Sequence, residues 1–150
     1  MIVIAHNIRS LHNVGSILRN AAAFGIEKVF LTGITGTPPR KEIAKVSLGA
    51  EDLVSWEAGE IGPVIDGLRV EGYAIWGLET GEGAVEIGSR EWAVGSSRIA
   101  LVLGSEVEGI DAETLRMLDG IVEIPMMKKR SLNVSVASGV AMYSMLVVRS

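Results

Sequence analysis

Three segments of this 150-residue chain place polar and charged residues where apolar runs end. The most informative covers 124–137 and reads Ile-Pro-Met-Met-Lys-Lys-Arg-Ser-Leu-Asn-Val-Ser-Val-Ala. An apolar strand stops at Pro125, the bases Lys128, Lys129 and Arg130 follow, and Ser131-Leu132-Asn133-Val134-Ser135 opens a helix. A cationic loop beside a helix N-terminus, with its unpaired N–H groups, suits a polyanion or a charged cofactor. Ser131 as a plain helix cap, with Ser135, Ser138 and Gly139 as small packing positions, accounts for part of the segment. Capping does not account for Pro125, the basic triplet and Asn133 together.

The second segment, 7–20, holds Arg9, Asn13, Gly15 and Arg19. Gly15 and Arg19 lie four apart and share a helix face. A glycine one turn before an arginine leaves room for a phosphate or ribose against the backbone, with the guanidinium alongside. A capped helix with a solvated arginine explains the same residues. The third, 103–109, runs from an apolar strand into Leu-Gly-Ser-Glu-Val-Glu-Gly. Gly104 there permits close ligand approach, and the Glu106 carboxylate can order a neighbouring arginine or loop; a glycine-rich turn with exposed acids is the plainer reading. No G-x-G-x-x-G follows the first strand, which argues against a dinucleotide oxidoreductase. His6 and His12 stand nearby, and isolated histidines of this kind are assigned no role.

These segments need a scaffold, and the apolar pattern supplies one. Strands are expected at 2–5, 28–32, 73–78, 98–103 and 121–124. Helices are expected at 14–24 (capped by Asn13 and stopped by Gly25), 61–70, 112–118 after an Asp111 cap, and 131–148. Strands alternating with helices predict an α/β fold with a mainly parallel sheet covered on both faces. The runs 99–103 and 74–76 are apolar without alternation, as a doubly covered strand should be. Residues 35–40, with Pro38 and Pro39, read as a surface loop. In such sheets ligands sit where strands end, which is where the three segments lie.

The bulk numbers set bounds. The length suits one domain, 1–150, with a real core. Apolar residues make up 48% of the chain and mean hydropathy is +0.36, values that fit burial of a broad face in a dimer. The apolar stretch at 134–148 is too short to span a bilayer, and the first residues have no signal-peptide pattern. Absence of cysteine excludes thiol chemistry and cysteine-held metal, and no metal site is expected. A cytoplasmic location follows as the default. Net charge is −4, against a nonspecific nucleic-acid coat, but it is unevenly divided. Residues 1–50 carry six Lys/Arg against two acids, and 124–150 carry four, Arg149 among them, against none. The middle, 51–123, carries four bases and sixteen acids. One basic face suffices for an enzyme acting on RNA, provided that the two ends meet in space.

Taken together, N-V-G-S-I-L-R-N-A, L-V-L-G-S-E-V-E-G-I and I-P-M followed by S-L-N-V-S-V-A resemble the three motifs of the SpoU (TrmH-like) branch of the SPOUT RNA methyltransferases. The resemblance covers nearly the whole chain. Where that family commonly has a five-residue loop with a glycine, this chain has the shorter Met127-Lys128-Lys129-Arg130. The resemblance implies an α/β knot with a C-terminal trefoil, a homodimer with active sites near the subunit interface, and no separate RNA-binding domain. It implies methyl transfer from S-adenosylmethionine to a ribose 2′-hydroxyl of tRNA or rRNA. By the same match the cofactor rests on Leu78, Gly104, Ile124, Met126 and Leu132. Arg19 acts as base or as clamp; Asn13, Ser131 and Asn133 orient ribose or arginine; Glu106 holds the loops. RNA contacts fall to Arg9, Lys128, Lys129 and Arg130. A non-catalytic RNA- or S-adenosylmethionine-binding module on this fold is the alternative.

Overall fold

The computed structural model of the protein describes residues 1–89, 91–92 and 98–148; Arg149 lies outside them. Seven strands form one sheet in the order β3-β2-β1-β6-β4-β7-β5, and every pairing is parallel. The strands are β1 (Ile2–His6), β2 (Lys28–Thr32), β3 (Ser55–Gly59), β4 (Ala74–Leu78), β5 (Val85–Glu86), β6 (Ile99–Leu103) and β7 (Gly120–Glu123). The helices are α1 (Leu11–Ala23), α2 (Lys41–Ser47), α3 (Ile61–Val70), α4 (Ala112–Leu115) and α5 (Val134–Val148).

The central strands show why they are apolar throughout. Val3 and Ala5 of β1, with Ile99, Leu101 and Leu103 of β6, join the cluster under α1 and α5. Their alternate neighbours Ile2, Ile4, Ala100 and Val102 join a second cluster under α3 and α4. A strand buried on both faces gains nothing from polar alternation. The expected α/β class and the five anticipated strands are present, with bounds shifted by a residue or two.

Six elements depart from expectation. The α1 cap is Ser10, whose hydroxyl accepts the Asn13 N–H at 3.2 Å; Asn13 lies one turn inside, with its side chain free for other work. The last helix begins at Val134, not at Ser131, because the Asn133 side-chain oxygen takes the Ser135 N–H at 2.8 Å. The fourth helix stops at Leu115, although Asp111 caps it as anticipated, through the Thr114 N–H at 2.8 Å. Finally, α2 and the edge strands β3 and β5 were not foreseen. β3 is almost wholly exposed, and β5 is two residues long.

Candidate active site

The ends of β4, β6 and β7 and the start of α5 enclose a cavity of about 520 Å³. Its wall contains Leu78, Gly104, Ile124, Met126 and Leu132, so the five residues matched to the cofactor site line a single space. Arg130, Ser131, Asn133 and Glu106 line it too. The volume falls within the range of about 300–1,000 Å³ that small-molecule sites occupy.

A chain of hydrogen bonds crosses its mouth. Glu106 accepts the Arg9 N–H at 2.9 Å, the Ser10 N–H at 3.0 Å and the Asn13 side-chain amide at 3.0 Å. Asn13 Oδ1 in turn accepts from Asn133 Nδ2 at 3.3 Å. The loop after β6, the start of α1 and the start of α5 are thereby tied at one point. Partial burial works to raise the Glu106 pKa, but the bonds from Arg9, Asn13 and Ser10 outweigh it and hold the carboxyl below its ordinary value. A carboxylate that stays charged is a good brace, because charge-assisted bonds are the stronger ones. The expectation that Glu106 orders neighbouring loops rests here on three bonds.

Two glycines are packed tightly against neighbouring backbone. A Cβ on Gly15 would stand 2.6 Å from the Ile43 carbonyl oxygen and 3.1 Å from Val46 Cβ. The space beside Gly15 is therefore filled by α2, and no ligand can occupy it. A Cβ on Gly104 would run into the backbone of Gly109 and Ile110. That glycine is required by the 105–109 hairpin, closed by Ser105 and Gly109 through two 3.0 Å bonds, although its backbone still lines the cavity. Both positions need glycine for close packing of chain against chain.

Arg19 is not in the 520 Å³ cavity. It lines a second hollow, of about 440 Å³, between α1, α2 and α5, with Ser16, Asn20, Val46, Ser135 and Val136. Its guanidinium is exposed and has no hydrogen-bond or ion-pair partner among the described residues. Beside it, Asn20 Nδ2 donates to the Ser135 carbonyl at 2.9 Å and to Ser138 Oγ at 3.2 Å, fastening α1 to α5. Asn20 is the residue that reading the sequence missed; its position directly after Arg19, facing the small residues Ser135, Ser138 and Gly139, was the available signal. Arg9 spends its N–H on Glu106, while its guanidinium stands 3.9 Å from Glu108. Lys128 and Lys129 are exposed. His6 is structural: it is buried and bonded to Thr32 Oγ1 at 2.9 Å, and burial lowers its pKa against the pull of Asp111. Among the described residues no cluster of His, Asp and Glu is placed to hold a metal, and no helix is long and apolar enough to cross a membrane.

The model of the SpoU rRNA Methylase family matches residues 1–143. The 23S rRNA (guanosine-2'-O-)-methyltransferase RlmB of Xanthomonas axonopodis pv. citri is 32% identical over 145 residues, covering 95% of this chain and 57% of its own. The TrmH/SpoU tRNA modifying enzyme of A. aeolicus superposes with a TM-score of 0.86 at 25% identity, covering 99% of this chain and 74% of its own. An AdoMet-bound rRNA methyltransferase from Sinorhizobium meliloti, 24% identical, shares the fold with a TM-score of 0.87 over 95% of this chain and 54% of its own. The chain spans little more than half the length of the curated relative from Xanthomonas. It belongs to the SpoU rRNA methylase family.

Proposed function

We propose that residues 1–150 form the catalytic domain of a cytoplasmic, homodimeric RNA methyltransferase that acts on a ribose 2′-hydroxyl of tRNA or rRNA. The observation that carries this reading is the tie of Glu106, Asn13 and Asn133 beside a cavity whose wall mixes apolar residues with carboxylates and polar groups. S-adenosylmethionine, bound in that cavity, would supply an activated methyl group. Leu78, Gly104, Ile124, Met126 and Leu132 would hold it, chiefly through main-chain groups and apolar walls. Ser131 and Asn133 stand at the rim, where a ribose can be oriented, and orientation alone is worth several kcal/mol in such a displacement. Proper alignment matters more than proton removal, and a guanidinium does not give up its proton. Arg19 is accordingly assigned as a clamp that holds a phosphate and polarises the hydroxyl. The name of the Xanthomonas relative and the bound ligand of the Sinorhizobium protein support the reaction and the cofactor.

The second copy is supported by α5. Val136, Val140, Tyr143 and Val147 recur on one helix face and are between 39% and 57% exposed, whereas Ser138, Ala141, Met142 and Met145 are buried on the other. An apolar face of this size on a surface helix marks an interface. Arg19 adjoins that face through Val136 and Val140, and we assign it to the cavity of the second copy. A trefoil knot formed by the C-terminal segment belongs to the same proposal, supported by family membership.

The test is methyl transfer from labelled S-adenosylmethionine to total tRNA and rRNA, with Arg19→Ala as control, followed by nucleoside analysis. A labelled 2′-O-methyl nucleoside is the expected product, and the labelled fraction names the substrate. Cofactor binding without incorporation into either RNA pool would overturn catalysis in favour of a binding module.

A further inference from the structure

Resting on the reading of RNA as substrate, we infer that α2 is a second RNA-docking arm, in which Lys41 and Lys45 hold backbone phosphates on the far side of Arg19 from the 128–130 loop. The juxtaposition is a product of folding. The two basic ends of the sequence meet where Asn20 of α1 bonds to Ser135 and Ser138 of α5. α2 is pressed against the same stretch of α1 at Gly15, and its Val46 closes the hollow that Arg19 lines.

Within α2, Ile43 and Ser47 are buried and Val46 is half-buried, while Lys41 and Lys45 are exposed. The two lysines lie one turn apart and form a stripe adjoining Val46 on the helix surface. Neither has a carboxylate partner among the described residues. The nearby acids are engaged elsewhere: Glu42 stands 3.9 Å from Arg40, and Glu51 accepts the Ser47 hydroxyl. α1 and α5 contain no acid, and the sixteen acids of residues 51–123 lie outside both helices.

A strip of polar residues joins the two hollows. Arg130, Ser131 and Asn133 border the larger cavity together with Glu106, Asn133 touches Asn13, and Ser135 and Arg19 border the smaller one next to Val46. An RNA with its target ribose at Ser131 and Asn133 of one copy would have one flank over Lys128 and Lys129 of that copy and the other over Arg19, Lys45 and Lys41 of the second copy, whose Arg19 is assigned to that cavity. Cations in such a track act on phosphates and carry no base sequence. Val46 beside them lines the smaller hollow with Val136 and Val140 of α5, so α2 adjoins the apolar face proposed for the second copy.

The experiment is RNA binding by fluorescence anisotropy across a salt series, using the RNA fraction that accepts methyl label. Wild type is compared with Lys41→Gln/Lys45→Gln and with a Lys128→Gln/Lys129→Gln/Arg130→Gln variant. Glutamine keeps helix propensity and an unbranched polar side chain, and both lysines are exposed, so the thermal midpoint should not move. The double variant is expected to bind RNA about tenfold more weakly at low salt, with a log–log salt slope shallower by about 1.4, near 0.7 per lost single-strand contact. S-adenosylmethionine affinity by calorimetry should be unchanged. Unchanged RNA affinity and slope in the double variant, with a loss in the 128–130 variant, overturns the α2 arm and leaves the substrate reading standing. Unchanged RNA affinity with a weakened dimer overturns it also, assigning the lysines to an acidic surface of the second copy. Failure of wild type to bind either RNA pool would instead overturn the substrate reading, and the arm with it.

Discussion

The two hollows beside the start of α5 differ in charge as much as in wall. The larger is lined by Glu79, Glu106, Glu108 and Glu123 with Arg130, and otherwise by uncharged polar residues such as Ser131 and Asn133 and by apolar groups. The smaller has Arg19, no acid, and walls drawn from three helices. A small cation such as a sulfonium is at home in the first, and a phosphate in the second. Under the proposed function, cofactor binding and RNA chemistry fall to separate units within one chain. They are joined through the Asn13–Asn133 bond, and the arginine expected to act on the substrate is not in the cavity expected to hold the methyl donor.

The largest effect should come from Arg19. Replacing it with alanine should lower methyl transfer by roughly 10²–10³-fold, the scale for losing one charge-stabilising donor, while cofactor affinity stays within a few-fold. Equal loss of both in calorimetry and assay would collapse the distinction between the hollows. A subunit-mixing experiment sharpens it. If Arg19 serves the partner's cavity, Arg19→Ala mixed with Asn133→Ala should regain about a quarter of wild-type activity, since half the dimers are mixed and each has one intact site. No recovery after confirmed subunit exchange would place Arg19 and Asn133 of one chain in the same site.

Next in size is Gly15→Ala. The added methyl meets the Ile43 carbonyl oxygen at 2.6 Å, and backbone cannot yield as a flexible side chain would. Overpacking of this kind costs about 1–3 kcal/mol, readable as a lower urea midpoint with unchanged slope. The reading of Gly15 as ligand space makes the opposite forecast of normal stability with impaired binding. Asn20→Ala is milder. It removes two bonds between α1 and α5 and should cost about 1 kcal/mol by the same measurement. RNA-dependent turnover should fall further than stability alone explains, because α5 and Arg19 lose their common fastening.

What the sequence made legible follows from how each feature is encoded. Central strands such as 99–103 were plain because burial on both faces writes itself as an unbroken apolar run. The edge strand β3 was not, because Ser55-Trp56-Glu57-Ala58-Gly59 faces solvent and carries no such constraint. α2 was missed because seven residues after a Pro-Pro pair give barely two turns of periodicity. In the site, the residue types were readable but the reasons for the glycines were not. Gly15 and Gly104 are fixed by neighbours 28 or more and 5 residues away, namely Ile43 and Gly109, and close packing between segments leaves no local pattern. The resemblance to family motifs gathered the five cavity-lining residues that composition could not, since backbone-built sites require few distinctive side chains.

The smallest effect tests whether Glu106 braces the joint between the hollows as a charge or merely as an acceptor. Its folded pKa lies below the ordinary carboxyl value because the bonds from Arg9, Asn13 and Ser10 outweigh the opposing effect of burial. A group depressed in this way stabilises the fold at pH above its unfolded value and loses that contribution as pH falls through the folded one. Glu106→Gln keeps the shape but weakens acceptance from two backbone N–H groups. It should cost about 1 kcal/mol at pH 7, kept small by solvent exposure of the site. The gap between wild type and variant should then narrow as pH drops below the unperturbed value of 4.5, because protonated wild type loses the same charge. A gap that stays constant from pH 7 to pH 3 would mean that geometry alone holds the β6 loop to α1. The charge would then have no part in keeping the two hollows in register.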